Sequence, residues 1–475
     1  MSEPLWTLDT MAAAMKAERA GALRRGVPGL SIDTRSIQPG EAFFAIQGEN
    51  RDGHDFVEAA LKAGAGLAVV AREKAGAMPK DAPLLIVPDV LAALNDLAHA
   101  SRARSRAKIV AVTGSVGKTG TKEALRLVLA RQGETHASAA SYNNHWGVPL
   151  SLALMPQLAK FGVLEIGMNH AGEITPLTRL VRPHVAMITT IAPVHLEFFG
   201  TLEAIADAKA EIFGGVEPGG AAVINADTRQ FARLKSAAQA ADVERIVSFG
   251  EREDADARLV KVSLQAETST VQAHIFGHDV TYKLGAPGRH MVDNSLGVLA
   301  AAHLLGADLA LTALALAELR ASVGRGQRIT LDVPGGTVLL IDESYNANPT
   351  SMRAALALLG QVPVQGLGRR IAVLGDMLEL GPEGASLHAA LSDAVLENGV
   401  DLIYCAGPLM KSLWDALPSE RRGGYADDSA ALEPIILGAI AAGDAVMVKG
   451  SLGSRMGRIV KALQRRSVQA EQALG

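Results

Sequence analysis

Two hydrophobic rhythms alternate along the chain. Short unbroken apolar runs, as in strands buried on both faces, are separated by stretches whose apolar residues recur every three or four positions, as in amphipathic helices. The runs at 42–46, 84–87, 109–112, 163–166, 185–189, 221–224, 371–374, 402–405 and 445–448 predict buried strands, and 54–63, 122–131 and 201–216 predict helices. Residues 257–284 alternate without a helical period and predict a small antiparallel insertion. The runs 328–333 and 337–341 flank Pro334-Gly335-Gly336, a hairpin signal. The most apolar stretch, 298–319, contains His303, Gly306, Asp308 and Glu318. An acidic residue at the centre of a membrane helix costs about 2.5–3.5 kcal/mol, so two buried helices broken near Gly306 are predicted, not a span.

Strands alternating with helices predict an α/β chain. Breaks fall at the polar, basic segment 101–108, read as a solvated helix end, and at Gly324-Arg325-Gly326. Three domains are therefore expected: residues 1–107, 108–325 with a mostly parallel, doubly wound sheet, and 326–475, Rossmann-like. Hydrophobic residues make up 48% of the 475 and charged residues 20%, which excludes a disordered chain. The net charge of −4 speaks against a general nucleic-acid-coating role. A lone cysteine, Cys405, excludes an internal disulfide and a thiolate-only metal cluster and suits a reducing compartment. Met1-Ser2-Glu3-Pro4 has no basic start and no apolar core, so a cytoplasmic setting is expected.

The strongest chemical signal is Val112-Thr113-Gly114-Ser115-Val116-Gly117-Lys118-Thr119-Gly120, a glycine loop between a strand and a helix. Glycines let backbone N–H groups approach phosphate oxygens, and the helix presents its positive end. Lys118 can reach terminal phosphates, and the Thr119 hydroxyl can hold Mg²⁺. The spacing departs from the strict pattern, since Val112 stands where a glycine is usual. Glu165, at the end of a predicted strand, supplies a carboxylate for a metal ion beside the phosphates.

Lys209 shares the apolar stripe of the predicted helix 201–216 with Leu202, Ile205, Ala206, Ile212 and Phe213, while Glu203, Asp207 and Glu211 project elsewhere. Two readings are open. A snorkelling lysine would keep its amine in water. A buried one would be a neutral, nucleophilic amine, able to take up CO₂ as a carbamate and become an anionic Mg²⁺ ligand. His195, in a loop after an apolar run, is a metal-ligand candidate as neutral imidazole.

In this order, with Asn143-Asn144-His145-Trp146-Gly147-Val148-Pro149 and Ala208-Lys209-Ala210-Glu211-Ile212-Phe213, the chain resembles the Mur ligases, ATP-dependent amide-forming enzymes of peptidoglycan synthesis. Further matches are Tyr345-Asn346-Ala347-Asn348-Pro349 with Ser351-Met352, Leu374-Gly375-Asp376-Met377-Leu378-Glu379-Leu380-Gly381, Lys449-Gly450-Ser451, and Asp33-Thr34-Arg35-Ser36 with the segment 43–48. The resemblance implies an N-terminal UDP-sugar domain, a central P-loop ATPase domain and a C-terminal ligase domain. It implies joining of D-alanyl-D-alanine to UDP-N-acetylmuramoyl-tripeptide through an acyl phosphate, with ATP as co-substrate and Mg²⁺. It also implies a carbamate on Lys209, catalytic roles for Lys118, His195 and Lys209, and metal placement by Thr119, Glu165, His195 and Lys209. Asn294, Arg325 and the pair Asp342-Glu343 resemble nucleotide contacts. Ser36 and Asn144 are candidates for the UDP-sugar substrate, and Asn346, Asn348 and Ser351 for D-alanyl-D-alanine. A monomer without nucleic-acid partners is expected. Two positions depart from the family pattern: Met291 replaces an amide residue, and Leu452 replaces the arginine after Ser451, which leaves open whether Arg455 takes its place.

A ligase using another amine, or acting on a folate glutamate, is the alternative within the same chemistry. A P-loop switch protein is the alternative from another class, and it leaves Lys209 and the third domain without a role.

Overall fold

The computed structural model describes residues 4–139, 141–364 and 366–474. Met1–Glu3, on which the expected absence of an export signal rests, lie outside the described residues. Three larger sheets carry the fold. The N-terminal one orders Glu18–Ala20, Leu84–Val87, Leu67–Ala71, Ala42–Phe44 and Leu30–Ser31, all parallel except the first. The central sheet has nine strands. Its parallel part runs Thr135–Ala137, Phe161–Glu165, Lys108–Thr113, Val185–Ile188, Ala221–Asn225, Arg245–Gly250, and it continues through Ala257–Leu264 into the antiparallel pair Ser269–Ile275 and His278–Leu284. The third sheet orders Gln327–Val333, Gly336–Glu343, Ala445–Lys449, Arg370–Gly375, Leu402–Ala406 and Arg422–Ala426, antiparallel only at the first pair.

The apolar runs are continuous because both faces of these sheets are covered. In Lys108–Thr113, Val110 and Val112 pack into one core while Ile109 and Ala111 pack into the other. The chain leaves Lys108–Thr113 toward one side of the sheet and later leaves Val185–Ile188 toward the other. That reversal opens a crevice at the strands' carboxyl ends, the usual ligand position in such sheets, and the loop 114–117 sits there. The stretch 298–319 folds as two helices, Arg289–Leu304 and Leu309–Ala315. Among the described residues no helix is long and apolar enough to cross a membrane.

Three local expectations are corrected. The helix Val90–Arg104 runs into the basic segment, whose Arg102 is buried, not solvated: its guanidinium donates to the carbonyls of Val181 (2.8 Å) and Arg182 (2.9 Å) and pairs with Glu217. The predicted helix 201–216 divides into an α-helix, Leu202–Ala210, and a 3-10 turn, Glu211–Gly215. The chain is drawn tight there because Thr178 donates to the Ile212 carbonyl (2.8 Å) and Gly215 lies against the Thr178 backbone. The helix placed at 122–131 begins at Lys118, directly off the glycine loop.

Candidate active site

The phosphate-loop geometry follows from two glycines. Gly114 (φ 145°) and Gly117 (φ 86°) have positive φ, and a Cβ on either would collide, with Thr189 Oγ1 at 2.0 Å and Asn294 Nδ2 at 2.6 Å. The loop is anchored by Ser115 N–H to the Thr190 carbonyl (2.9 Å) and by Thr189 Oγ1 to the Val116 carbonyl (2.6 Å). Lys118 Nζ folds back to the Gly114 carbonyl at 2.8 Å. Burial lowers the Lys118 pKa, with Arg325 acting in the same direction and Glu165 opposing. Ser115 Oγ is buried without a hydrogen-bond partner and lines the cavity described below.

The side chains of Thr119 and Glu165 meet. The Thr119 hydroxyl donates to Glu165 Oε2 at 2.9 Å, and Asn143 Nδ2 donates to Oε1 at 2.7 Å. A hydroxyl and a carboxylate are hard oxygen donors that fit Mg²⁺. Lys209 is 1% exposed, which overturns the snorkelling reading. Burial, then the charge of Lys118, pushes its pKa well below the ordinary range. Among the described residues it forms no ion pair.

A cavity of about 530 Å³ joins this wall to the third sheet. It is lined by Ser115, Val116, Gly117, Lys118, Thr119, Gly120, Glu165, His195 and Asn294 on one side and by Arg325, Glu343, Asn346, Asn348 and Ser351 on the other. Arg325 stacks on the Tyr345 ring at 4.1 Å and reaches Ser141 Oγ. Glu343 pairs with the buried Lys449 at 3.1 Å, and Lys449 also donates to the Asn346 carbonyl. His195 presents Nδ1 to Glu379 across the boundary.

Some candidates lie elsewhere. Gly114 and Lys209 sit behind the lining, the former as acceptor for Lys118. Asp342 is turned away from the cavity and holds Ser344 through its backbone N–H (3.0 Å) and hydroxyl (2.6 Å), so Glu343 is the member of the pair that faces the site. Asn144 Oδ1 accepts from Gly147 N–H, and Ser36 lies exposed in the N-terminal region; neither lines the cavity. Asn348 and Ser351 do line it, but they cap each other at the start of the helix Pro349–Gly360. Arg455 lines a separate recess of about 300 Å³ with Asp376 and Arg458. Sequence reasoning passed over Asn143, Lys449 and Glu379. All three lie inside motifs whose spelling was visible, but only the tertiary contacts show which side chain faces which.

The chain matches the Mur ligase family catalytic domain over residues 27–102, the Mur ligase middle domain over 112–302 and the Mur ligase glutamate ligase domain over 324–452. It is 33% identical to a UDP-N-acetylmuramoyl-tripeptide–D-alanyl-D-alanine ligase of Rickettsia prowazekii, over 96% of this chain and 99% of that one. It is 36% identical to the protein of the same name from Escherichia coli, over 92% and 93%. A solved MurF structure from Acinetobacter baumannii superposes with a TM-score of 0.82, 29% identical, over 98% and 99% of the two chains. One from Thermotoga maritima in complex with ADP gives 0.75, 26% identical, over 93% and 98%.

Proposed function

The chain belongs to the Mur ligase family, and on that premise we propose that it joins D-alanyl-D-alanine to UDP-N-acetylmuramoyl-tripeptide, with ATP as co-substrate, in peptidoglycan precursor synthesis. The observation that carries this reading is the match, 36% identical over 92% of this chain, to a ligase whose name states that reaction. Residues 1–107 take the UDP-sugar, 108–325 the ATP, and 326–475 complete the site. The setting is the cytoplasm, the working unit a monomer, and the product serves cell shape and division.

A carboxylate is a poor electrophile, because its leaving group would be oxide. Transfer of the γ-phosphoryl group from ADP's oxygen to the tripeptide's terminal carboxylate gives an acyl phosphate. The dipeptide's amine then adds to that carbonyl, loses its proton, and phosphate departs. The loop 114–119 holds the phosphates by backbone N–H groups, and Lys118 offsets charge on the transferring group. Ser115 Oγ, buried and unpartnered, is a further phosphate contact. Asn294 and Arg325 hold the nucleotide, with Glu343 facing it from the third sheet. Thr119 and Glu165 would hold one Mg²⁺, and His195 with carbamylated Lys209 a second. Magnesium bound there screens the repulsion between triphosphate and acceptor carboxylate. Asn346 is the side chain offered to the dipeptide; Asn348 and Ser351 shape that wall through their mutual cap.

The test is mass analysis of products from UDP-N-acetylmuramoyl-tripeptide, ATP and D-alanyl-D-alanine, with diaminopimelate and lysine as competing amines. The expected product is the tripeptide substrate extended by D-alanyl-D-alanine with loss of water. Phosphate release without an amide, or an amide to another amine, refutes the assignment.

A further inference from the structure

The segment 374–381 is unused by the scheme above, yet it makes the closest polar contact between the central and third sheets' loops at the cavity. Glu379 Oε2 lies 2.5 Å from His195 Nδ1, and the Glu379 carbonyl accepts from Glu197 N–H at 3.3 Å. Both partners are non-glycine residues in the left-handed region, His195 at φ 54° and Glu379 at φ 62°. Such backbone persists where its surroundings over-determine it. The surroundings of Glu379 do so. Met377 N–H donates to His388 Nε2 (2.9 Å), Leu378 N–H donates to Ser451 Oγ (3.0 Å), and Asp376 accepts from Met410 N–H (2.8 Å). His388 is itself buried and gives its Nδ1–H to the Gly384 carbonyl (2.6 Å), which fixes Nε2 as the acceptor. The loop is thus a rigid mount for one carboxylate aimed at one imidazole. Among the described residues no hydrogen bond falls on His195 Nε2, and His195 lines the large cavity.

We propose that Glu379 is the positioning residue for His195: by accepting the Nδ1–H bond from the third sheet's side, it fixes the ring's tautomer and rotation and leaves the Nε2 lone pair for a divalent cation in the cavity. A carboxylate on the far nitrogen is the common way a metal-binding imidazole is oriented, and removing such a partner typically costs about 10–100-fold in metal affinity. Because donor and acceptor come from different sheets, the ring is fixed only while the two domains are docked.

The inference rests on the reading of His195 as a metal-placing residue, and the test separates the two. Full-length protein with ADP is titrated with Mn²⁺, counting free ion by electron paramagnetic resonance, for wild type, His195→Ala, Glu379→Ala and Glu379→Gln. Side-chain ¹⁵N spectra of the metal-free proteins report the His195 tautomer, which mere interface packing would not set. Expected are a loss of about 10–100-fold in Mn²⁺ affinity for both alanine variants, a smaller loss for Glu379→Gln, which keeps an acceptor oxygen, and a Nδ1–H tautomer lost in Glu379→Ala. The Glu379 side chain is 47% exposed, so the variants should fold, and melting midpoints check this. Unchanged Mn²⁺ binding in His195→Ala overturns both readings. Weakened binding in His195→Ala, with wild-type binding and tautomer in Glu379→Ala, overturns this inference alone.

Discussion

Glu165→Gln should leave the fold nearly as stable as wild type while removing ligation. The carboxylate is 1% exposed and accepts two hydrogen bonds, from Thr119 Oγ1 at 2.9 Å and Asn143 Nδ2 at 2.7 Å. Glutamine can satisfy both partners. Its oxygen keeps the Asn143 amide, and its NH₂ donates to Thr119, whose hydroxyl rotates from donor to acceptor. The loss is the charge-assisted part of the two bonds, about 1 kcal/mol each, offset by no longer burying an anion, so the net change should stay within about 1 kcal/mol. Glu165→Ala differs: it leaves the Asn143 amide and the Thr119 hydroxyl without their acceptor, at about 1–3 kcal/mol for each group. Activity should not separate the two variants. Each removes the carboxylate proposed to hold Mg²⁺, and losing one such electrostatic group typically costs about 10²–10³ in kcat. Urea denaturation gives the stability difference, and coupled phosphate release with D-alanyl-D-alanine gives the rate. Glutamine retaining more than a tenth of wild-type kcat at saturating Mg²⁺ would refute the metal role, and glutamine as unstable as alanine would refute the hydrogen-bond argument.

Lys209→Ala should abolish ligation with folding preserved, and short carboxylic acids should restore part of the rate by supplying the missing anion; full activity in the variant removes the carbamate. Asn348→Ala should lower stability by about 1 kcal/mol through loss of the capping box, read as a melting-point shift. His184 Nδ1 accepts from Ile109 N–H at 3.0 Å, and burial, then Lys108 and Arg102, lower its pKa from 6.5 to about 4. The folded state thus keeps the ring neutral, so this stabilisation is present above pH 6.5 and lost as pH falls toward 4. The shift corresponds to about 3 kcal/mol undamped and roughly half that after solvent screening of a half-buried ring. Denaturation curves from pH 8 to 4 should lose that slope in His184→Leu, which at neutral pH also orphans the Ile109 N–H.

Much of this was legible in the sequence because the central and third sheets are covered on both faces. The apolar runs of Lys108–Thr113, Val185–Ile188 and Ala445–Lys449 could be nothing but interior strands, and the loop 114–119 needs its glycines wherever it occurs. Edge strands were silent. Arg422–Ala426 reads Arg-Gly-Gly-Tyr-Ala, and Glu18–Ala20 carries no apolar run, since neither must fill a core on both sides. The inward turn of Lys209 was written in helical spacing, but its burial depends on neighbours far along the chain. Which of Asp342 and Glu343 faces the cavity is a matter of strand alternation: adjacent side chains point to opposite faces, and register with Ala445–Lys449 decides which is which.

The charges around the cavity divide the labour between its walls. Arg325 disfavours the charged form of Lys118, Lys118 disfavours the charged form of Lys209, and Glu165 is the anion that opposes the first of these. Anions brought there, as triphosphate and acceptor carboxylate are proposed to be, would relieve repulsion already built in. On the opposite wall Lys449 pairs with Glu343 at 3.1 Å, Asn346 presents an amide, and Arg325 is a cation stacked on Tyr345. Glu343→Gln leaves the buried Lys449 without its counter-charge and removes the carboxylate proposed to face the nucleotide, so it should change KM for ATP more than KM for D-alanyl-D-alanine. A change confined to KM for D-alanyl-D-alanine would end the assignment of Glu343 to the nucleotide.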